Sequence, residues 1–267
     1  MNAANEKVTP VDARQRERVL GVSFFNNAVE DAVAEILWRK GCLVIPASPA
    51  LIKLNYDKEF REALRKADVV LPDSGLLARL WKLASGRKLN KISGIDYLRC
   101  LCKEESFGRD PRTFVILPSE AAKEKAIAFF AGQGCSVLPE NCPVISDPGA
   151  GAGAQNHELL LKLEERRPQH VVIALHRRGQ ESLGIYLRDY LLYRPAIHCV
   201  GAALALLSGD QAAIPEWAQR YQLGWFSRLL SQPRMILPRF GIALALAGMV
   251  FRYRSEMPPL RARWTDL

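Results

Sequence analysis

Ala67-Asp68-Val69-Val70-Leu71-Pro72-Asp73-Ser74-Gly75 is a segment in which a short strand is predicted to pass directly into a helix. The apolar residues 69–71 are typical of a buried strand, and an amphipathic stretch, 76–84, begins after Gly75. Asp73 therefore lies between a strand and a helix. Ligands of open α/β sheets bind at the carboxyl ends of the strands, where a carboxylate can accept a proton from a hydroxyl group. A helix N-cap is the alternative role for Asp73.

Strand and helix patterns alternate along most of the chain. Apolar runs predict strands at 19–23, 43–45, 69–71, 113–117, 136–138, 170–175 and 196–200. This alternation predicts an α/β fold, a Rossmann-like parallel sheet with helices on both faces. The strand patterns stop after Gly201, so we expect a flexible N-terminus at 1–17, an α/β domain at 18–209 and a basic helical C-terminal appendage at 210–267.

The positive charge of the protein is concentrated near its C-terminus. The net charge is +9 over 267 residues, which favours nucleic acid, acidic lipid headgroups or phosphorylated substrates as partners. Residues 218–267 contain eight Arg and no Lys against Glu256 and Asp266, and arginine suits bidentate contacts to phosphate. The apolar stretch 240–251 is too short to span a bilayer. It could lie in a membrane interface, pack against another subunit or form a core helix.

Other sequence features narrow the class of protein. The six Cys and four His show no spacing typical of zinc sites, so we expect reduced thiols and no bound metal. The first 20 residues are polar and charged, unlike a secretory signal peptide, and a cytoplasmic location is expected. Nucleic acid is not an expected partner, because the basic tail lacks aromatic residues interleaved on a recognisable module.

Two further strand ends carry residues suited to ligand binding. Gly179-Gln180-Glu181 begins a helix after the apolar run 171–175, and free N–H groups at a helix N-terminus favour a diphosphate. Gln180 can hydrogen-bond a sugar or the edge of a base, although a solvent-exposed turn would explain the same residues. Small residues in Val200-Gly201-Ala202-Ala203 would allow either the close approach of a ligand or close packing of a strand on a helix.

An ordered set of short segments resembles the bacterial WecG/TagA/CpsF glycosyltransferase family. The segments lie between about residues 20 and 245 and are 57–64 with 67–73, Ser93-Gly94-Ile95-Asp96, 179–181, 200–209, and 225–229 with Pro233-Arg234 and Arg239-Phe240. The resemblance implies an inverting, metal-independent transfer of a sugar, commonly an N-acetylhexosamine. The implied donor is a UDP-sugar, the implied acceptor is a polyprenyl-diphosphate-linked sugar, and the implied product is a bacterial surface polysaccharide.

The resemblance also implies roles for individual residues. Asp73 is the expected general base, and Gln180 is expected in the substrate pocket. The other expected substrate-binding residues are Ser48, Gly75, Lys91, Gly94, Asp96, Gly179, Glu181, Gly201, Arg228, Arg234 and Arg239. Backbone N–H groups and cations, with no metal or other cofactor, would stabilise the leaving diphosphate. The appendage would dock peripherally on the anionic inner face of the cell membrane, and a homo-oligomer is left open.

The second strand end departs from the family pattern. Family members often have a polar triplet at the position of Ile45-Pro46-Ala47, and Ser48 is the nearest polar replacement. One alternative is therefore a nucleotide-sugar-binding relative with altered catalysis. A Rossmann-type NAD oxidoreductase is a second alternative, which the absence of G-x-G-x-x-G after the first predicted strand argues against.

Overall fold

The structure is a computed structural model that describes residues 15–110, 112–145, 152–175, 179–209 and 233–261, with only the backbone described for 152–156 and 233–240. The described strands are β1 (Arg16–Val19), β2 (Val22–Phe25), β3 (Cys42–Val44), β4 (Val69–Val70), β5 (Phe114–Ile116), β6 (His170–Ile173) and β7 (Ala196–Cys199). The described α-helices are α1 (Val29–Arg39), α2 (Lys58–Lys66), α3 (Gly75–Ser85), α4 (Gly94–Lys103), α5 (Glu105–Gly108), α6 (Glu120–Gly132), α7 (Ala152–Arg166), α8 (Gln180–Tyr190), α9 (Ala202–Leu207) and α10 (Pro233–Tyr253). Two 3₁₀ segments, Ser48–Asn55 and Pro139–Asn141, complete the set.

Five parallel strands form the central sheet in the order β4-β3-β7-β6-β5. Alternate residues of each strand enter two separate apolar clusters, so that Cys42 and Val44 belong to one and Leu43 to the other. Because successive side chains of a strand point to opposite faces, the two clusters are the two helix-covered faces of the sheet. The predicted α/β, Rossmann-like class is confirmed.

The strand order reverses at the pair β3–β7. From β3 the chain adds β4 on one side, then crosses to β5 at the far edge and returns through β6 to β7. The N–H of Ile45 donates to the carbonyl of Cys199, which keeps the two strand ends together. A reversal of this kind opens a crevice at the carboxyl edge of a parallel sheet, which is where ligands bind.

Two predicted strands are wrong. Residues 19–23 straddle the turn of an antiparallel hairpin between β1 and β2, because Leu20 and Gly21 both have positive φ and reverse the chain in two residues. Residues 136–138 are irregular, and Val144 pairs with Leu117 instead. In addition, β1 begins at Arg16, inside the segment 1–17 that was predicted to be flexible.

The long C-terminal helix α10 packs on the α/β domain. Leu246, Met249 and Val250, which share one helical face, are buried in the same cluster as Leu51 and Leu54. The helix contacts both the 3₁₀ segment 48–55 and α3. Part of the stretch 240–251 is therefore core, as one of the alternatives anticipated. Within the described residues, no helix combines the length and apolar character needed to cross a bilayer.

Candidate functional site

Four adjacent strands place polar or small residues at one edge of the sheet. Asp73 follows β4, Ser48 follows β3, Gly201 follows β7 and Gln180 lies beyond β6. Neighbouring strands are about 4.8 Å apart, so the strand ends that carry Asp73 and Gln180 are separated by roughly 14 Å, a span suited to an extended ligand. This edge brings together residues that are more than 100 positions apart in the sequence.

Asp73 does not cap α3. The N-cap is Ser74, whose hydroxyl accepts a hydrogen bond from the N–H of Leu77 at 3.0 Å, so the capping alternative for Asp73 is wrong. The carboxylate of Asp73 instead accepts a hydrogen bond from the backbone N–H of Gly94, the first residue of α4. The hydroxyl groups of Ser48 and Ser74 are also hydrogen-bonded to each other, which connects the ends of β3 and β4.

The surroundings of Asp73 make it a stronger base than an ordinary aspartate. Burial raises its pKa to about 6, and the negative charge of Asp96 acts in the same direction. The Gly94 N–H and the positive charge of Lys91 oppose this rise. A carboxylate with a pKa near 6 is ionised at neutral pH and can still hold a proton transiently, which suits a general base.

Gly94 lies in a confined position beside Asp73. A methyl group added at Gly94 would lie 3.0 Å from the Cβ of Ala203 and 3.5 Å from Oδ2 of Asp73. It would also lie 3.6 Å from Cδ1 of Ile45. The first turn of α9 therefore approaches the Asp73 side of the edge through Ala203.

Gln180 and Glu181 form a buried polar pair at the start of α8. Their side chains are 6% and 7% exposed, and Nε2 of Gln180 donates to Oε1 of Glu181 at 3.3 Å. Burial raises the pKa of Glu181, while the bond from Gln180 and the charge of Lys53 oppose that rise. Oε1 of Gln180 has no hydrogen-bond partner among the described residues. A buried acceptor without a hydrogen-bond partner costs free energy, and it is suited to a donor group on a ligand.

Gly201, at the end of the neighbouring strand β7, lies close to the side-chain amide of Gln180. Its backbone has φ 55° and ψ −130°, a conformation that residues with a side chain rarely adopt. A methyl group added at Gly201 would lie 3.0 Å from Nε2 of Gln180. The segment 201–203 thus lies close to Gln180 at one end and to Gly94 at the other, and so connects the two sides of the edge.

A buried network behind α4 has no counterpart in the sequence-based expectations. The Tyr97 hydroxyl is hydrogen-bonded to Nδ1 of His198 at 2.7 Å, and Nε2 of His198 is 3.2 Å from Nδ1 of His170. Burial lowers the pKa of both histidines, that of His170 to about 4. Both rings are therefore neutral at pH 7. Because Tyr97 is one turn beyond Gly94, the network helps to fix the part of α4 that contacts Asp73.

The structure places ten of the predicted site residues at this edge of the sheet, and it does not describe the side chains of the other three. Asp73, Ser48, Gly75, Lys91, Gly94 and Asp96 lie at the β3–β4 side, and Gly179, Gln180, Glu181 and Gly201 lie at the β6–β7 side. Arg228 lies outside the described residues, as do the side chains of Arg234 and Arg239 and the segment 176–178. Within the described part of the chain, no cluster of three or more His, Cys, Asp or Glu has the arrangement of a metal site.

Comparison with known proteins relates this chain to glycosyltransferases. A sequence model of the Glycosyl transferase WecG/TagA/CpsF family matches residues 17–258. A Bacillus spizizenii protein named N-acetylglucosaminyldiphosphoundecaprenol N-acetyl-beta-D-mannosaminyltransferase is 24% identical over 230 residues, which cover 82% of this chain and 83% of the relative. A Bacillus subtilis protein of the same name is 24% identical over 195 residues, covering 70% of this chain and 72% of the relative.

Proposed function

Because the chain belongs to the WecG/TagA/CpsF glycosyltransferase family, we propose that it moves an N-acetylhexosamine from a UDP-sugar to a polyprenyl-diphosphate-linked sugar. The protein is a glycosyltransferase of cell-surface polysaccharide synthesis. The names of the two Bacillus relatives specify an N-acetylmannosaminyl group and an N-acetylglucosaminyl-diphosphoundecaprenol acceptor. We extend the same sugar class and acceptor class to this protein. The family membership sets aside the oxidoreductase alternative.

The observation that carries this proposal is the environment of Asp73. Its partly buried carboxylate, with a pKa of about 6, lies at the carboxyl end of β4. In the proposed step, Asp73 accepts the proton of an acceptor hydroxyl while that oxygen forms a bond to the anomeric carbon of the donor. The bond from the anomeric carbon to the diphosphate breaks at the same time, and UDP leaves with the electron pair. Attack opposite the leaving group inverts the anomeric configuration.

The leaving diphosphate needs stabilisation that polar groups at the same edge can supply. The N-terminus of α8 follows Gly179, which has φ 98° and no side-chain cap, and helix N-termini favour anions. Lys91 is exposed and acts electrostatically on Asp73, so its charge reaches the reaction centre. We assign the diphosphate to these groups, together with Arg228, Arg234 and Arg239, without a metal ion.

A nucleotide-sugar-binding protein with altered catalysis is the second candidate. Ile45 lies close to Gly94, on the Asp73 side of the edge, where the family often has polar residues. An apolar contact there would remove hydrogen bonds to the donor sugar. Such a protein would bind UDP-sugars and form no transfer product.

A substrate panel separates the two candidates. The protein is incubated with several UDP-sugars and a short-chain lipid-diphosphate N-acetylglucosamine, and products are identified by mass. We expect one added N-acetylhexosamine in the wild type and in Asp189→Asn, an exposed carboxylate at the far end of α8. Asp73→Asn should form at least a hundredfold less product. Donor binding without product in the wild type would support the second candidate instead.

The cellular site of action follows from the acceptor class. A polyprenyl diphosphate is held in a bilayer, so we propose that the protein works at the anionic inner face of the cell membrane, as a cytoplasmic, peripherally bound enzyme. Sedimentation with membrane vesicles of wild-type protein tests this placement.

A further inference from the structure

The exposed side of α3 combines apolar and cationic side chains. Leu76 is 41% exposed and Leu83 is 74% exposed, although both are large apolar residues. Residues three and four positions apart share one face of a helix, so Arg79 lies between these two leucines. The opposite side of the helix is buried in the core through Leu77, Leu80 and Trp81. Packing within the described domain therefore leaves the leucine stripe uncovered.

A cationic groove runs beside this stripe. Its volume is about 660 Å³, and its lining residues are Asn27, Ala28, Gly75, Ala78, Arg79, Lys82, Lys88, Leu89, Asn90 and Lys91. The lining includes four cations and no carboxylate. Lys82 donates to the carbonyl of Gly86, while Arg79, Lys88 and Lys91 form no ion pair with a described residue. Lys91 acts electrostatically on Asp73, whereas Arg79, Lys82 and Lys88 have no carboxylate partner among the described residues, so this part of the groove is a positive surface.

We propose that this α3 face, consisting of Leu76, Leu83 and the groove cations Arg79, Lys82 and Lys88, docks on an anionic phospholipid bilayer. The leucines would enter the interface, and the cations would contact headgroup phosphates. Exposed leucines beside Arg and Lys are typical of helices that lie in membrane interfaces. An acidic protein partner could form ion pairs with the cations, but it would offer no lipid phase for Leu76 and Leu83 to enter.

The position of α3 gives this docking a consequence for the reaction. The helix begins two residues after Asp73 and has 11 residues, so it is about 16 Å long. Docking along α3 would hold Asp73 close to the plane of the headgroups, where the phosphates of a lipid-linked acceptor lie. This consequence for the reaction rests on the proposed function. The docking itself can be measured without any acceptor.

The C-terminal helix offers a competing apolar surface. Leu244 and Phe251 of α10 are exposed, whereas Leu246, Met249 and Val250 are buried against the domain. If α10 alone carried the membrane contact, changes on α3 would leave binding intact. The two surfaces can therefore be separated by paired substitutions.

Vesicle sedimentation of the full chain tests the proposal. Vesicles of phosphatidylcholine with phosphatidylglycerol are compared with phosphatidylcholine alone, at low and high salt. The charge variant is Arg79→Glu/Lys88→Glu, and the apolar variant is Leu76→Ser/Leu83→Ser. The matched control is Leu192→Ser/Arg194→Glu, because both residues are exposed and precede β7 at the opposite edge of the sheet. Thermal melts verify that each variant is folded.

We expect the charge variant to lower the partition coefficient at least about 25-fold, because each basic residue near an anionic surface contributes about fivefold. The apolar variant should also bind weakly, and high salt should reduce wild-type binding. The control should bind as the wild type does. Wild-type binding by both α3 variants would overturn the proposal, as would loss of binding only in Leu244→Ser/Phe251→Ser or failure of the wild type to bind.

Activity assays keep this proposal distinct from the proposed function. The apolar α3 variant should process a water-soluble short-chain acceptor at the wild-type rate and lose activity on a long-chain acceptor held in vesicles. Absence of transfer to both acceptors in the wild type, with vesicle binding intact, would contradict the proposed function and leave the docking surface standing.

Discussion

The side-chain amide of Gln180 donates from Nε2 to Oε1 of Glu181 over 3.3 Å, and this bond fixes the direction of the amide. The Glu181 carboxyl oxygen accepts this bond, so the nitrogen of the amide faces Glu181 and the amide oxygen is left as the buried acceptor. The amide should therefore receive a hydrogen-bond donor of the substrate, a hydroxyl or an N–H group. Glu181 would act as a positioning residue for this contact.

Substitutions at these two positions should affect substrate use more than folding. Gln180→Ala should lower kcat/KM by about 10- to 100-fold, because a lost hydrogen bond to a buried group is worth about 1–3 kcal/mol. Glu181→Gln should lower kcat/KM less, because the amide can then turn in either direction. Steady-state kinetics and thermal melts of the same preparations measure both effects.

Substrate analogues provide the control for this pair. With the wild type, a donor or acceptor sugar that lacks the contacted hydroxyl should have a lower kcat/KM. The decrease should equal the one that Gln180→Ala causes with the full substrate. A lower melting temperature with unchanged kinetics would show that Gln180 is purely structural.

The pKa of Asp73 predicts both the rate and the stability of the protein as functions of pH. A general base must be ionised, so kcat/KM should fall as the pH decreases through about 6. Folding raises this pKa from 3.8, so the folded state binds the proton more tightly and burial of the charge costs stability at neutral pH. Asp73→Asn should abolish most transfer and raise the melting temperature at pH 7 to 8 but not at pH 3. An unchanged pH profile of kcat/KM, or wild-type turnover by Asp73→Asn, would contradict the role of Asp73.

Gly94→Ala should impair the reaction with little effect on helix formation. Alanine is a better helix former than glycine, but its methyl group would approach Ala203 to 3.0 Å and Oδ2 of Asp73 to 3.5 Å. We expect kcat to fall about tenfold through displacement of Asp73, with the melting temperature changed by only a few degrees. The control is Gly132→Ala, at a glycine in α6 where an added methyl group meets no atom within 4 Å. Equal kinetics for the two variants would show that the Asp73 side tolerates the extra atom.

The histidine network should make folding sensitive to acid. The pKa of His170 is lowered to about 4 by burial, whereas an unfolded histidine titrates near 6.5. The unfolded state therefore binds protons first, and the stability that is present above pH 6.5 is lost as the pH falls toward 4. Tyr97→Phe removes the hydroxyl from Nδ1 of His198 and should cost about 1–3 kcal/mol of unfolding free energy. Denaturant melts between pH 4.5 and 8 test both statements, and a stability that does not change over this range would contradict them.

The sheet and the edge that carries the candidate site could be predicted because both follow from local sequence patterns. Apolar runs that end in Asp73 or in Gly179-Gln180 indicate strand ends, and parallel strands bring such ends to one edge. The hairpin could not be predicted as such, because Leu20 adopts a left-handed conformation that its residue type does not favour. The Tyr97–His198–His170 network was also missed, since it joins residues far apart in the sequence through side-chain contacts alone. Helical spacing on α3 was the pattern that could have revealed the α3 face.

Truncation after Gly209 should unfold or aggregate the protein, although the sequence pattern alone predicted an independent α/β domain. Deletion would remove Leu246, Met249 and Val250 from the core, and each buried apolar side chain of this size contributes about 1.5–3 kcal/mol. It would also remove the carbonyl groups of Arg254 and Ser255, which accept hydrogen bonds from the N–H groups of Leu20 and Gly21.

The paired variant Leu246→Ala/Val250→Ala separates this packing role from membrane attachment. It should lower the melting temperature by several degrees or more while the folded fraction still sediments with anionic vesicles, because the α3 face is intact. Leu244→Ala is the matched control, since Leu244 lies on the same helix and is exposed. A truncated protein that melts cooperatively near the wild-type temperature would contradict the packing role of α10.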